Sequence, residues 1–439
     1  MNVIRRLTVF VRNLILAILI AFPALATAVF AQDVIPLKAK GGLHAAYVVP
    51  NDTYDRVDVQ LIVLSGSYDD PGISGIGHLT EHLAAFSADD AVLRRARARD
   101  VNARIFNVST LYTNSGSPKE IEVLLQLSRA VLDRPVLPPG FAESEIKILH
   151  RETHLRERNS PYRWLKRKAL ENLYGSRYGR ANNEIEDLPR LNLQDAYKFH
   201  ETHYVPSNVT LIVSGKIDAA KAEDLVARYF GDTESSPAPE KPWLKQKPDP
   251  SLRKVERLSS DRLSDDIVML MKFVDFEDQE TSIEMQGEFF MATSVLNNRI
   301  SKALIYDDTT LFDISADWFF SKGADVELTV VVHPMPGVDL NTALSKVEKT
   351  LGELLDTPIQ PEEIAQSHRE QLANAKDASR QSADFLDFLH NVAGDGFPPV
   401  SPGVFADMIE NTSDDQVIEF ARKMMEPSAT SVVLAQRER

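Results

Sequence analysis

"FHETHYVPSNVTLIVSG" occupies residues 199–215, and "FARKMMEPSATSVVLAQ" occupies residues 420–436. Each reads as the end of a helix, a proline break and then a buried strand. Laid 221 residues apart, Pro206 meets Pro427, Ser207 meets Ser428 and Ile212 meets Val433. Each copy closes one half of the chain, as a duplicated domain would. Between them lies "GDTESSPAPEKPWLKQKPDPSLRK" (231–254), rich in proline and charge and without apolar periodicity. It reads as a linker. The expected layout is a leader over 1–31, a first domain over 32–233, a linker over 234–252 and a second, related domain over 253–439.

Both halves mix strands and helices. "VDVQLIVLSGS" (57–67) alternates and then runs apolar, which predicts a strand. Residues 73–86, 119–133 and 141–158 carry helical patterns. "VNARIFNV" and "STLYTNSG" read as adjacent short strands. In the second half, "DIVMLMKFV" and "DVELTVVVH" read as strands and "LNTALSKVEKTLGELLD" as a helix.

The chain has 439 residues, 43% of them hydrophobic and 26% charged, a globular composition with room for two or three cores. There are no cysteines, so disulfides and thiolate metal sites are excluded. The first segment carries Arg5, Arg6 and Arg12 and no acid, then the apolar run "LILAILIAFPALATAVFA". Val29 and Ala31 suit a cleavage site that leaves Gln32 first, so this is the layout of a secretory signal peptide, and its basic start points to the bacterial periplasm. An uncleaved membrane anchor is the alternative, since the run approaches spanning length. The formal charge is −15, and loss of the three arginines makes it more negative. So acidic a body repels phosphate backbones, which argues against nucleic-acid partners and hints at basic ones.

The sharpest signal is "GIGHLTEH" (75–82). On a helix His78, Glu81, His82 and Ala85 share a face, and Leu79, Leu83 and Phe86 form an apolar stripe beside it. Two imidazoles one turn apart can reach one ion, and zinc takes neutral imidazole readily. A neighbouring carboxylate can take a proton from the attacking water. The plain alternative is a polar helix face with two unrelated histidines. Only 10 of the 439 residues are histidine, which favours the metal reading.

A catalytic zinc takes a third protein ligand and keeps a position open. In "FAESEIKILHRETHLRER" (141–158), Glu145, Ile148, Leu149, Glu152 and Leu155 share one face. Glu152 then falls on an otherwise apolar stripe, where an unpartnered carboxylate costs several kcal/mol. A metal ion would be its partner, and Glu145 could orient a ligand histidine from behind. His150 and His154 are also four apart but point away from Glu152, so only one set can face the site. The apolar stripe favours Glu152 and leaves both histidines on a solvated face with Arg151, Arg156 and Arg158.

These residues resemble the insulinase/pitrilysin-type zinc peptidases, which carry an inverted H-x-x-E-H motif matched here by "HLTEH". In that family a distal glutamate completes the site and another precedes it by seven residues. The resemblance therefore implies His78, His82 and Glu152 as ligands, Glu145 as companion and Glu81 as general base. The 70 residues from His82 to Glu152 are slightly fewer than usual. "YGRANNEIEDLPRLNLQDAYKFHETHYVPSNVTLIVSG" is similar to a further family segment. The implied fold is α+β: two duplicated domains, each a mostly antiparallel sheet with helices on one face, forming half of a clamshell. The second domain would hold no metal. Four such domains make the clamshell, so a chain of this length, similar to the subunits of mitochondrial processing peptidases, implies a dimer.

The family also adds the peptide as a strand to a sheet edge. Asn102 and Ala103 in "VNARIF" match the asparagine–alanine pair of that edge, without the usual following threonine. Family members active alone carry an arginine and, seven residues later, a tyrosine that grip the substrate carbonyl. "NNRISKALIYDDTTLFDISA" resembles that segment but places Ile305 and Phe312 there, with Arg299 and Tyr306 out of register. Losing one oxyanion donor costs on the order of a hundred-fold in rate. The expectation is a periplasmic zinc endopeptidase subunit with one Zn²⁺ per chain, acting on peptides or unfolded fragments beside a homologous chain that supplies the clamp. The alternatives are a non-catalytic scaffold and a zinc hydrolase of small molecules.

Overall fold

The alternation in "VDVQLIV" sends Val57, Val59, Leu61 and Val63 to one side of a strand and Asp58, Gln60 and Ile62 to the other, yet all seven residues are buried. A strand buried on both faces needs a layer on each, and this requirement organises the molecule. The computed structural model describes residues 33–38, 40–85, 100–175, 179–181, 184–276, 282–306, 310–320, 323, 325–380 and 382–438. The leader and Phe86 lie outside them.

The first sheet contains β1 (Ile35–Pro36), β2 (Ala45–Pro50), β3 (Val57–Val63), β4 (Asp100–Ile105), β5 (Thr110–Gly116) and β6 (Val209–Gly215), in the order β1-β2-β6-β3-β5-β4. The second contains β7 (Arg253–Ser260), β8 (Ile267–Val274), β9 (Leu311–Phe319), β10 (Val326–Pro334) and β11 (Ala429–Arg437), in the order β7-β11-β8-β10-β9. Leaving aside β1, the two orders are the same when each half is counted from its first strand. Each sheet has one parallel pair, β2 with β6 and β7 with β11, and is otherwise antiparallel. The chain is thus an α+β duplication. The repeated stretch supplies β6 and β11, each behind a helix whose matching phenylalanine, Phe199 or Phe420, is buried.

Helices α1 (Ile76–Ala85), α2 (Ile121–Ala130), α3 (Phe141–Asn159), α6 (Leu193–His203) and α7 (Ala219–Phe230) cover one face of the first sheet. Helices α8 (Glu284–Ser301), α9 (Leu340–Glu353), α10 (Pro361–Arg380), α12 (Pro402–Asn411) and α13 (Asp414–Met424) cover the matching face of the second. The remaining faces are covered by exchange. Helix α4 (Pro161–Tyr174), from the first half, packs Leu165, Ala169 and Leu173 on Met269, Met271 and Phe273 of the second sheet. Helix α11 (Ser382–Gly394), from the second half, packs Phe385, Leu389 and Ala393 on Val49, Ile62 and Ile212 of the first. Gln60 on that face donates to the Leu386 carbonyl at 3.2 Å.

The proline-rich connection is anchored between the halves. Trp243 is buried and its indole N–H donates to Asp69 Oδ1 at 3.0 Å. Beside it Arg180 is fully buried, pairing with Glu327 at 3.0 Å and Asp325 at 3.4 Å. Its guanidinium also lies 5.3 Å from the Trp243 and Phe273 rings. Removing one partner of a buried ionic cluster strands the others without water. Arg180→Ala should therefore destabilise the protein by about 3–5 kcal/mol, read as a lower urea midpoint. A midpoint within error of the wild type would show that the cluster does not hold the halves together.

Candidate metal centre

Helix α1 starts where Asp70 accepts the backbone N–H groups of Gly75 and Gly77, both at 2.7 Å. A carboxylate at a helix N-terminus satisfies otherwise unpaired donors and opposes the helix dipole. Gly75 has φ +91°, a conformation that favours glycine. Leu79 and Leu83 fill the core and turn the opposite side, His78, Glu81 and His82, towards α3. His78 and Glu81 are buried.

Helix α3 brings Glu152 across from this triad. Glu152 Oε2 lies 3.8 Å from Nε2 of His78 and 3.8 Å from Nε2 of His82. Glu81 Oε2 lies 3.9 Å from each of the same nitrogens. One ligand atom from each of His78, His82 and Glu152 can be chosen with all three within 4.8 Å of one another. Around zinc, with bonds of about 2.0–2.1 Å, tetrahedral ligand atoms stand roughly 3.3–3.5 Å apart, and the 3.8 Å separations of Glu152 from the two histidines are close to this.

The far ring nitrogens are held as well. His82 Nδ1 is 3.0 Å from Glu145 Oε2, and His78 Nδ1 is 2.6 Å from Glu184 Oε1. Thr153 donates to the same Glu184 oxygen at 2.9 Å. A carboxylate on Nδ1 fixes the tautomer that leaves Nε2 free as a ligand. Burial alone would lower the His78 pKa, but Glu184, with Glu81 behind it, holds it above its ordinary value. Burial would raise the Glu184 carboxyl, yet His78 and Thr153 keep it low. Glu81 is pushed up by burial, and its two histidine neighbours only partly oppose this. Four carboxylates around two imidazoles make a field that suits a divalent cation, so the donor set fits zinc.

Several expectations on α3 are corrected. Leu155 is 55% exposed and the Glu152 side chain 37%, so the buried stripe swings from Leu149 to Thr153 and Glu157, and Glu152 is not the buried carboxylate on an apolar stripe that the spacing implied. His150 is half-buried and sits 3.0 Å from the Leu188 carbonyl, while His154 is exposed. Arg156 is not merely part of a solvated face. It donates to Glu152 Oε2 at 2.9 Å and reaches within 3.4 Å of His78 Nε2. Glu184 was missing from the candidate set. Its four-residue helix α5 (Glu184–Asp187) has no periodic signal to give it away.

Among the described residues, strand β4 lies at the edge of the first sheet and pairs only with β5. Asn102 and Ala103 on it line a pocket of about 290 Å³ together with Glu81, His82 and Tyr112. In the second half Ile305 is half-buried against the core, and Phe312 is 46% exposed. Arg299 pairs with Glu363 at 2.7 Å and donates to the Leu354, Thr357 and Pro358 carbonyls, so its guanidinium is committed to that half. The Tyr306 side chain lies outside the described residues.

Residues 190–372 match the family model described as "Peptidase M16 inactive domain". That segment begins after Glu184, so every side chain of the cluster lies outside it. The chain is 24% identical over 211 residues to an uncharacterized zinc protease, YmfH, of Bacillus subtilis, covering 47% of this chain and 48% of that protein. It is 23% identical over 220 residues to the zinc protease PqqE of Helicobacter pylori, covering 47% and 49%. Each match spans about half the length of the curated relative. Its backbone superposes on a protease from Helicobacter pylori with TM-score 0.76 at 16% identity, covering 92% of this chain and 100% of that one. It superposes on the first half of the periplasmic protease PqqL from Escherichia coli with TM-score 0.70 at 17% identity, covering 92% of each. These structural likenesses speak for the fold.

If Glu184 orients His78, Glu184→Ala should weaken zinc binding about 10–100-fold, as outer-sphere carboxylate losses do. Competition against a chromophoric chelator measures it. An unchanged affinity would remove Glu184 from the site.

Proposed function

Because the chain belongs to the insulinase-type M16 peptidase family, we propose that it is a zinc-dependent endopeptidase subunit acting on peptides or unfolded protein fragments. The observation that carries this reading is the convergence of His78, His82 and Glu152 on one point, with buried Glu81 against it and, among the described residues, a sheet edge alongside. His78, His82 and Glu152 would hold the ion. Bound zinc supplies a Lewis acid that polarises the scissile carbonyl and acidifies the attacking water. Glu81, 3.9 Å from both ligand nitrogens, takes a proton from that water and returns it to the leaving amide nitrogen. Glu145 and Glu184 hold the imidazoles in register. The outer edge of β4, with Asn102 and Ala103, accepts the peptide backbone as an added strand.

A homologous partner chain fits this reading, since Ile305 and Phe312 cannot donate to an oxyanion and Arg299 is engaged elsewhere. Export to the periplasm is the reading of residues 1–31. No helix among the described residues is long and apolar enough to cross a membrane. A second reading, a non-catalytic assembly subunit, draws on the same two positions and on the "inactive" description of the matched segment. The cluster outside that segment favours the enzyme.

Glu81→Gln should keep zinc and lose cleavage of a quenched, unstructured peptide by about 10²–10⁴-fold, the usual loss with a general base. Turnover equal to wild type would end the base assignment. Glu152→Ala should weaken zinc binding far more than His150→Ala. The opposite ranking would put the wrong face of α3 at the metal. Wild-type protein that neither binds zinc nor cleaves would favour the assembly subunit.

A further inference from the structure

A cavity of about 640 Å³ opens on the His78 side of the metal centre and runs between the two halves. Glu184 and Thr153 line its inner end. One wall is the end of α3 and the first turns of α4, and α11 from the second half stands among the other walls. The first wall is cationic: Arg156, Arg163, Lys166 and Arg167 all line the cavity.

Most acids that line the cavity are already engaged. Glu157 is taken by Arg167 and Glu184 by His78. The deeply buried Arg180 is matched by Asp325 and Glu327. Asp395, on the α11 side, is pushed up to about 7 by burial, which roughly halves its charge at neutral pH. Arg163, which is exposed, and Lys166, which is half-buried, have no ion-pair partner among the described residues. Arg156 shares one carboxylate oxygen of Glu152. The cavity wall therefore carries an uncompensated positive charge inside a chain whose formal charge is −15. Net charge alone favours basic peptides, and the local field favours the reverse. At contact distance the local field dominates, because more distant surface charges are screened within about 8–10 Å in physiological salt.

We propose that this wall is an acid-selecting subsite, in which Arg163 and Lys166, with Arg156 at the metal end, take the carboxylates of acidic side chains on the bound peptide. The proposal rests on the peptidase reading for its substrate and adds the substrate's charge. Arginine presents a planar fork to a carboxylate and lysine a mobile point charge, so the wall selects carboxylates without demanding one fixed geometry.

The test uses the full zinc-loaded chain and two unstructured fluorescent peptides, one rich in glutamate and one with lysine in its place. Binding is read by anisotropy on Glu81→Gln protein and cleavage by quenched versions on wild type. The acidic peptide should bind about tenfold tighter, with the preference shrinking as salt rises. R163E/K166E should abolish or invert it. Equal binding of the two peptides by the unsubstituted wall, or tighter binding of the lysine peptide, overturns the proposal, and neither result depends on the double variant folding. Acidic preference in binding by a wild-type chain that fails to take up zinc would keep the subsite and remove the peptidase reading. Cleavage without charge preference would do the opposite.

Discussion

Each sheet of this protein is apolar on both faces, and each half supplies helices for only one of them. The second face of each sheet is closed by a helix from the other half, α4 in one direction and α11 in the other. Separated halves would leave Val49, Ile62 and Ile212, or Met269, Met271 and Phe273, in water. At about 25 cal/mol per Å² of apolar surface, that exposure outweighs any single polar contact in the interface. Arg180 and Trp243 then set how the halves lie against each other, since a buried guanidinium tolerates little displacement from its carboxylates. Trp243 is tied to Asp69, and Asp70 beside it caps the helix that carries the histidines. The interface and the metal helix are therefore joined through a few bonds.

The same exchange places the cavity. Helix α4 leaves the end of α3 to cross onto the second sheet, and its first turns face the space beside His78. Helix α11 crosses the other way and brings His390 and Asp395 to that space. A site between halves can take a chain longer than either half alone would cover, and here Ile105 at the end of β4 lines it. At the centre, the carboxylates of Glu145 and Glu184 use up both Nδ1 atoms, so the two Nε2 atoms turn towards Glu152, with Arg156 beside that of His78.

Helical spacing made much of this legible. Residues three and four apart share a face, so His78, Glu81 and His82 had to lie together once "GIGHLTEH" was helical, and Glu145 and Glu152 had to share a side of α3. The repeated helix–proline–strand stretch exposed the duplication, because β6 and β11 are central strands whose apolar runs are long. Spacing misled where the buried stripe drifts along a long helix, leaving Leu155 exposed and bringing Arg156 to Glu152. It was silent on Glu184, which stands 106 residues from its histidine on a single helical turn. Alternation along β3 sends Asp58 and Gln60 to the side that α11 covers, and both are buried there by a layer contributed from more than 300 residues away.

Local periodicity, a motif on one helix and an internal repeat are properties of neighbouring residues, and the chain states them outright. They make legible an α+β duplication and the residues of the candidate metal centre's core. Which carboxylate holds which imidazole, what covers the second face of each sheet, and the sign of charge along the cavity all join residues far apart in the chain. Those pairings are chosen by packing, because only the folded arrangement settles which buried charge meets its partner away from water.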